Sequence, residues 1–228
     1  MDEPMEYEMS KPSEYYFAEA MSTDRLKWLV YNPNKTNVPF DQWLSRVKPS
    51  QIFKSEGYGW ICVRSPNDNH ESPDKVQLQE SWEMLCGSGR PINQQSITEL
   101  ALSHNATVGK WLFYTQTGLK VDHLWSLVAR ATYEGSLGSS AKVSAFDDVN
   151  PEGDPNHVVC IYNQNFTEEE EVYDLENKIR NTGLKCQMNY KPDIYTYIGI
   201  YRNNEWSLRP SIYKSVYELN KGSIVTKM

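Results

Sequence analysis

The 228-residue chain is short of most features that assign a protein at sight. No apolar run approaches the ~18 residues that a membrane helix needs, and no charged-then-apolar leader follows Met1. Neither a membrane span nor a secretory signal is expected. Cysteine is scarce: Cys62, Cys86, Cys160 and Cys186 are scattered, with no CxxC pair. That excludes a disulfide framework and the usual zinc spacings. The cysteines read as buried free thiols in a reducing compartment, cytoplasmic or nuclear. Positive charge is in deficit, with a net charge of −7, so generic attraction to nucleic acid is excluded and any such site must be a local basic patch. The signatures GxxxxGK[ST], GxGxxG, GxSxG and HExxH are all missing. His70, His104, His123 and His157 have no partner Cys or Ser in view. No catalytic residue, metal ligand or cofactor is therefore assigned.

What is present is aromatic. Seven Trp and 15 Tyr within 39% apolar residues describe a folded chain with one sizeable core. Residues 1–22 are acidic and Tyr-rich without lasting period, and are expected to be a flexible tail. Residues 23–228 are expected to form a single domain with an N-terminal helical extension. Leu26, Leu29 and Val30 suggest a short helix there, and Phe40, Trp43, Leu44 and Val47 a second. Strand signals follow at 60–63, 109–115, 141–145, 157–162, 185–191 and 194–201. Helical periods lie between them: one capped by Asp74, one around Ile97, one starting at Asp122, and one started by a Thr167/Glu170 capping box. Strand 141–146 is placed beside 157–163, and 185–191 beside 194–201, as antiparallel hairpins. The sum is an α+β domain, a curved antiparallel sheet with helices on one face and the other face partly open.

The stretch Tyr190–Lys214 concentrates the candidate chemistry. Read as an extended strand, it puts Tyr195, Tyr197 and Tyr201 on one face, and Ile194, Ile198 and Ile200 on the other. Trp206-Ser-Leu208 would continue as a partner strand after a turn at Asn203-Asn204. Cations punctuate the inferred strands at Lys110, Lys142, Lys191, Arg202 and Arg209. Strand lysines are commonly just solvated. Several on one face, interleaved with Tyr195 and Tyr197, would instead bind a phosphorylated ligand. Lys142 alternates with Ala141 and Val143, so its ammonium is expected to reach the open face. Its replacement should then cost less than about 1 kcal/mol.

The runs GKWLFYT, VDHLWSLVARATYEGSLGSSAKVS, HVVCIYNQNFT and YKPDIYTYIGIYRNNEWSLRPSIY resemble the basophilic-leukaemia-expressed protein family over about Phe40 to Tyr213. The resemblance implies the fold of the cap-binding translation initiation factor 4E, through Gly109-Lys110-Trp111, the Asp122/Trp125 helix start and the strand Ala141 to Ser144. Cap binders hold methylated guanine between two loop tryptophans. Residues 64–76 and 87–108 contain no Trp, and Trp82-Glu83 sits on a buried helical stripe, so specific cap recognition is not expected. A shorter likeness links Lys110-Trp-Leu112, Lys142-Val-Ser144 and Arg202-Asn203 to bacterial phosphothreonine lyases, with Leu112 standing where that family has its acid histidine. The expectation is a non-enzymatic binding protein for RNA, a nucleotide or another phosphorylated molecule on the basic, Tyr-bearing sheet face. A protein-interaction module using the convex helices and a phosphate-handling enzyme are the alternatives.

Overall fold

The computed structural model describes residues 12–68, 72–149 and 156–228. Among them are helices α1 (Ser13–Arg25), α2 (Phe40–Arg46), α3 (Lys75–Gly87), α4 (Gln94–Ser103), α5 (Leu119–Tyr133), α6 (Glu169–Asn181) and α7 (Asp193–Tyr197). The strands are β1 (Lys27–Tyr31), β2 (Tyr58–Arg64), β3 (Gly109–Gln116), β4 (Ser140–Ser144), β5 (Asn156–Asn163), β6 (Met188–Pro192), β7 (Tyr213–Glu218) and β8 (Gly222–Lys227). They form one curved, unclosed sheet in the order β1-β2-β4-β5-β3-β6-β7-β8. All neighbours are antiparallel except β1 and β2, which run parallel. The fold class is α+β, as expected.

Alternation in the strands gives the sheet two chemically different faces. Ile61, Val63, Trp111, Phe113, Ala141, Val143, Val159 and Ile161 are buried on one of them. Trp125 and Val128 of α5 and Val172 and Ile179 of α6 belong to the same core, and the Trp111 indole donates to the Val172 carbonyl at 2.9 Å. The intervening residues Trp60, Cys62, Lys110, Lys142, Cys160, Tyr162 and Lys191 point to the opposite side. The expected pairing of 141–146 with 157–163 is present as β4–β5, with Ala141 opposite Ile161 and Lys142 opposite Cys160.

Several local expectations are corrected. The segment read as strand 194–201 is a helix followed by a turn. Pro192 and Asp193 start α7, Ile194 and Ile198 share its buried side, and Gly199 (φ 75°) ends it. The Gly199 amide bonds to Thr196 and that of Ile200 to Tyr195, a paired closure that requires the left-handed residue. Trp206-Ser-Leu208 is no strand either. Asn204 knots that loop, donating to the Tyr201 and Leu208 carbonyls, each at 2.7 Å. Residues Leu29 and Val30 lie in β1, because Trp28, Val30 and Tyr31 are strand formers that find an open edge beside β2. The Thr167 capping box does not form. Its hydroxyl donates to Asn165 Oδ1, and α6 starts behind Glu168 without a side-chain cap. Helix α5 starts at Leu119, leaving Asp122 to accept from the Ser50 amide and hydroxyl at 3.0 and 2.7 Å. Cys86 is exposed, whereas Cys62 and Cys160 are buried.

The expected flexible tail, 1–22, is helical over the part described: α1 begins at Ser13, and residues 1–11 lie outside the described residues. This helix also corrects the expectation of an open sheet face. It lies on the lysine-bearing side, and its last turn meets β2 so closely that a Cβ at Gly59 would stand 2.2 Å from the Thr23 carbonyl.

Candidate functional site

Sheet register brings Lys110, Lys142 and Lys191 to one region. Lys110 is opposite Lys191 across β3 and β6, while Lys142 lies between Cys62 and Cys160 on β2 and β5. All sit on the face away from α5 and α6. Against the expectation of an exposed patch, Lys110 and Lys191 are 8% and 6% exposed, and the Lys142 side chain 12%.

Each ammonium is held differently. Lys110 pairs with Asp193 at the start of α7, lies 3.4 Å from the Thr196 hydroxyl and faces the Tyr162 ring. Burial works against its charge, but the Asp193 carboxylate more than compensates and holds its pKa above the usual lysine range. Lys142 lies over the rings of Trp60 (3.7 Å) and Trp28 (4.7 Å), with the Asp24 carboxylate 3.7 Å away. Burial lowers its pKa, the Lys110 charge adds to that, and Asp24 and Asp193 oppose it. Lys191 donates to the Ile200 carbonyl at 2.9 Å and lies 3.7 Å from the centre of the Tyr201 ring. Burial first, then the Lys110 charge, brings it down to about 7. The Cys160 thiol is coupled to all three cations, yet burial still raises its pKa.

Helix α1 supplies the cover and an anion. Asp24 accepts the Trp60 indole proton at 2.8 Å, and its backbone carbonyl accepts that of Trp28 at 3.3 Å. At the other end the Ser13 hydroxyl donates to the Gly199 carbonyl at 3.0 Å and accepts from the Tyr201 amide at 3.3 Å. Between these ends α1 buries little: Ser13 and Thr23 are its only buried residues. The helix is fastened at its two ends across the lysines.

Of the other expected site residues, Tyr195, Arg202 and Arg209 are not in this cluster, whereas Tyr197 joins its edge through a side-chain hydrogen bond to Asp193. Tyr195 is 2% exposed and belongs to the hydrophobic core, where burial raises its phenol to about 12. It is there because α7 turns by helical steps, not strand steps. Tyr197 is half-buried under Lys75, whose ammonium lies 4.7 Å from its ring centre. Arg202 and Arg209 are exposed and make no ion pair among the described residues. Asp24, Trp28, Trp60, Asp193 and Cys160 belong to the cluster and were not singled out from sequence. Alternation of Trp60 and Cys62 with Ile61 and Val63 carried part of that signal. Nothing local marked Asp24.

Among the described residues no helix is long and apolar enough to cross a membrane, and no group of three or more His, Cys, Asp or Glu is placed to hold a metal. The solved structures similar to this chain include C. elegans eIF4E-3 in a complex with the 4E-binding protein Mextli and a cap analogue. The identity there is 16% over 39% of this chain and 52% of that one, with a TM-score of 0.32, so the match spans about half of the worm protein. A schistosome eIF4E complexed with m7GpppA and 4E-BP matches at 14% identity over 60% of this chain and 80% of that chain, with a TM-score of 0.37. The model of the basophilic leukemia-expressed protein Bles03 family matches residues 85–199, which include β3, β4, β5, β6 and all three clustered lysines, Lys110, Lys142 and Lys191. The match covers half of the sequence, and the chain belongs to the Bles03 family.

Proposed function

We propose that the chain is a non-enzymatic binding protein that takes the phosphate of a nucleotide, RNA or other phosphorylated ligand at the lysine face, without specific recognition of a methylated cap. The observation that carries this reading is Asp24: a carboxylate already occupies a slot formed by the Lys142 ammonium and the Trp60 indole N–H. An anion of similar size from a ligand would find the same cation and donor. Asp24 is 36% exposed on a helix with little buried surface, so this anion can be exchanged without disturbing the core. Cap-type stacking is disfavoured because the Trp28 and Trp60 rings are tilted by 48° with centres 6.0 Å apart, which leaves no parallel slot for a base, and the Lys142 ammonium lies over both of them.

The test is a fluorescence titration, with the two tryptophans as reporters, using GTP, its methylated-cap analogue and a short single-stranded RNA at low and high salt. GTP and the cap analogue should bind equally, and binding should weaken as salt rises. Asp24→Asn, which removes the competing charge, should tighten binding several-fold. Lys142→Met should weaken it about tenfold. No binding by either the wild type or a folded Asp24→Asn variant would overturn the reading.

A further inference from the structure

Lys110 and Lys191 are directly opposite one another on neighbouring strands, an arrangement that like charges disfavour. The structure resolves the conflict unequally. Lys110 has the Asp193 carboxylate. Lys191 has a carbonyl and an aromatic ring, Ile200 and Tyr201, and makes no ion pair with a carboxylate among the described residues. A lysine enclosed in this way, beside a second cation that keeps its proton, is the member of the pair that gives its proton up. The groups that act on it are Lys110, Asp193 and Cys160, and burial outweighs all of them, bringing it to about 7. Around neutral pH a large share of Lys191 is free amine, whereas an ordinary surface lysine is almost entirely ammonium.

We propose that Lys191 is an imine-forming amine, a covalent site for carbonyl compounds and for aldehydes in particular. The Nζ lone pair adds to the carbonyl carbon, and the resulting carbinolamine expels the former carbonyl oxygen as water carrying both amine protons. Amine plus aldehyde gives imine plus water, with no oxidant or reductant. Lys191 is covered by the Ile200 carbonyl and the Tyr201 ring, so a carbonyl compound reaches the amine when this cover loosens. The backbone that roofs Lys191 is held by the Ser13 hydroxyl at Gly199 and Tyr201, and Phe17 packs against Tyr201 with ring centres 6.2 Å apart. A cavity of about 190 Å³ lined by Ser13, Phe17, Tyr197, Ile198 and Gly199 lies between α1 and this cover, and Lys191 is not among the residues that line it. The site goes beyond the phosphate reading and does not depend on it, since an uncharged aldehyde suffices.

The experiment treats the full chain with glycolaldehyde, reduces with borohydride and maps the modified lysines by peptide mass. At pH 7, Lys191 should be modified at least about tenfold more than Lys178 and Lys221, which are exposed. Its modification should level off by about pH 8, while that of the exposed lysines keeps rising toward pH 10. Ser13→Ala, which loosens the roof, should speed modification of Lys191 and leave Lys178 and Lys221 unchanged. Lys191→Met should abolish the adduct. Modification of Lys191 no greater than that of Lys178 and Lys221, in both wild type and Ser13→Ala, would overturn the proposal.

Discussion

Glu176 and Arg180, one turn apart on α6, form an ion pair at 2.7 Å with side chains only 1% and 7% exposed. The guanidinium also donates to the Leu184 and Cys186 carbonyls at 3.1 and 2.7 Å and to the Ser215 hydroxyl. The carboxylate in turn accepts from the Ser215 and Ser223 hydroxyls, so α6 is bound to both strands of the C-terminal hairpin. Every partner is charged or hydrogen-bonded, so removing one strands the other in a dry site.

Arg180→Ala should therefore cost about 3–5 kcal/mol in urea unfolding, because Glu176 is left buried and unpaired. The Lys178–Asp174 pair on the same helix, with side chains 48% and 62% exposed, is the internal control. Lys178→Ala should cost less than about 1 kcal/mol. Equal and small losses in both variants would show that the α6 network contributes no more than a surface pair.

Gly59→Ala addresses the seat of α1. A methyl group at this position meets the Thr23 carbonyl at 2.2 Å and the Leu26 Cβ at 3.1 Å. The nearest atoms all belong to Thr23 and Leu26 and none to a core side chain, so the variant should stay folded while the last turn of α1 lifts away. Hydrogen exchange in residues 13–25 should speed up with little change in β3 and β5, at a cost of about 1–3 kcal/mol. Unaltered exchange in α1 would mean that the helix is not seated through this contact.

Lys191 also gives a pH dependence whose sign can be worked out. Its folded pKa, about 7, lies below the ordinary lysine value of the unfolded chain. Between those two values the unfolded state binds more protons, so this residue makes stability rise with pH from about 7 toward 10. The contribution amounts to a few kcal/mol over that window. Cys160 works the other way: its raised thiol pKa makes stability fall as pH climbs above the ordinary cysteine value. The Lys191 part is therefore read as the difference between wild type and Lys191→Met, measured by unfolding at successive pH values. A difference that does not change with pH would refute the assignment.

Strand alternation made the two faces of the sheet legible in the sequence. Lys142 between Ala141 and Val143 is on the polar side, and Lys110 and Lys191 follow by parity. Their exposure was not legible, because Lys142 is covered by α1, which is remote in sequence, and Lys110 and Lys191 by α7 and the turn after it, a segment that also reads as a strand. The expected small cost of replacing Lys142 is revised for that reason. A glutamate there would sit among Trp28, Trp60 and Asp24 in place of a cation. Tyr195 was misplaced by a different ambiguity. In Asp193-Ile-Tyr-Thr-Tyr-Ile-Gly199 the apolar residues satisfy alternation and also helical spacing, and the Pro192 start and Gly199 stop decide for the helix. Trp28 came to the site through parallel pairing of β1 with β2, a long-range event that no local pattern encodes.

That parallel pairing has a consequence for how the chain assembles. Between β1 and β2 the backbone must cross to the helical side, where Phe40 of α2 stacks on Tyr133 of α5 at 4.1 Å, while α1 remains on the lysine side. Residues 13–57 thus grip the sheet edge from both sides, and neither surface they grip exists before β2, β4 and α5 have come together. This arm is expected to dock last in folding and to leave first in unfolding. A late folding intermediate, with the sheet complete and Lys142 wet, would then be the same species as the form open to a ligand at that residue. Affinity at the lysine face would be set by the free energy of releasing the arm, and a variant that weakens the grip would bind more tightly while being less stable.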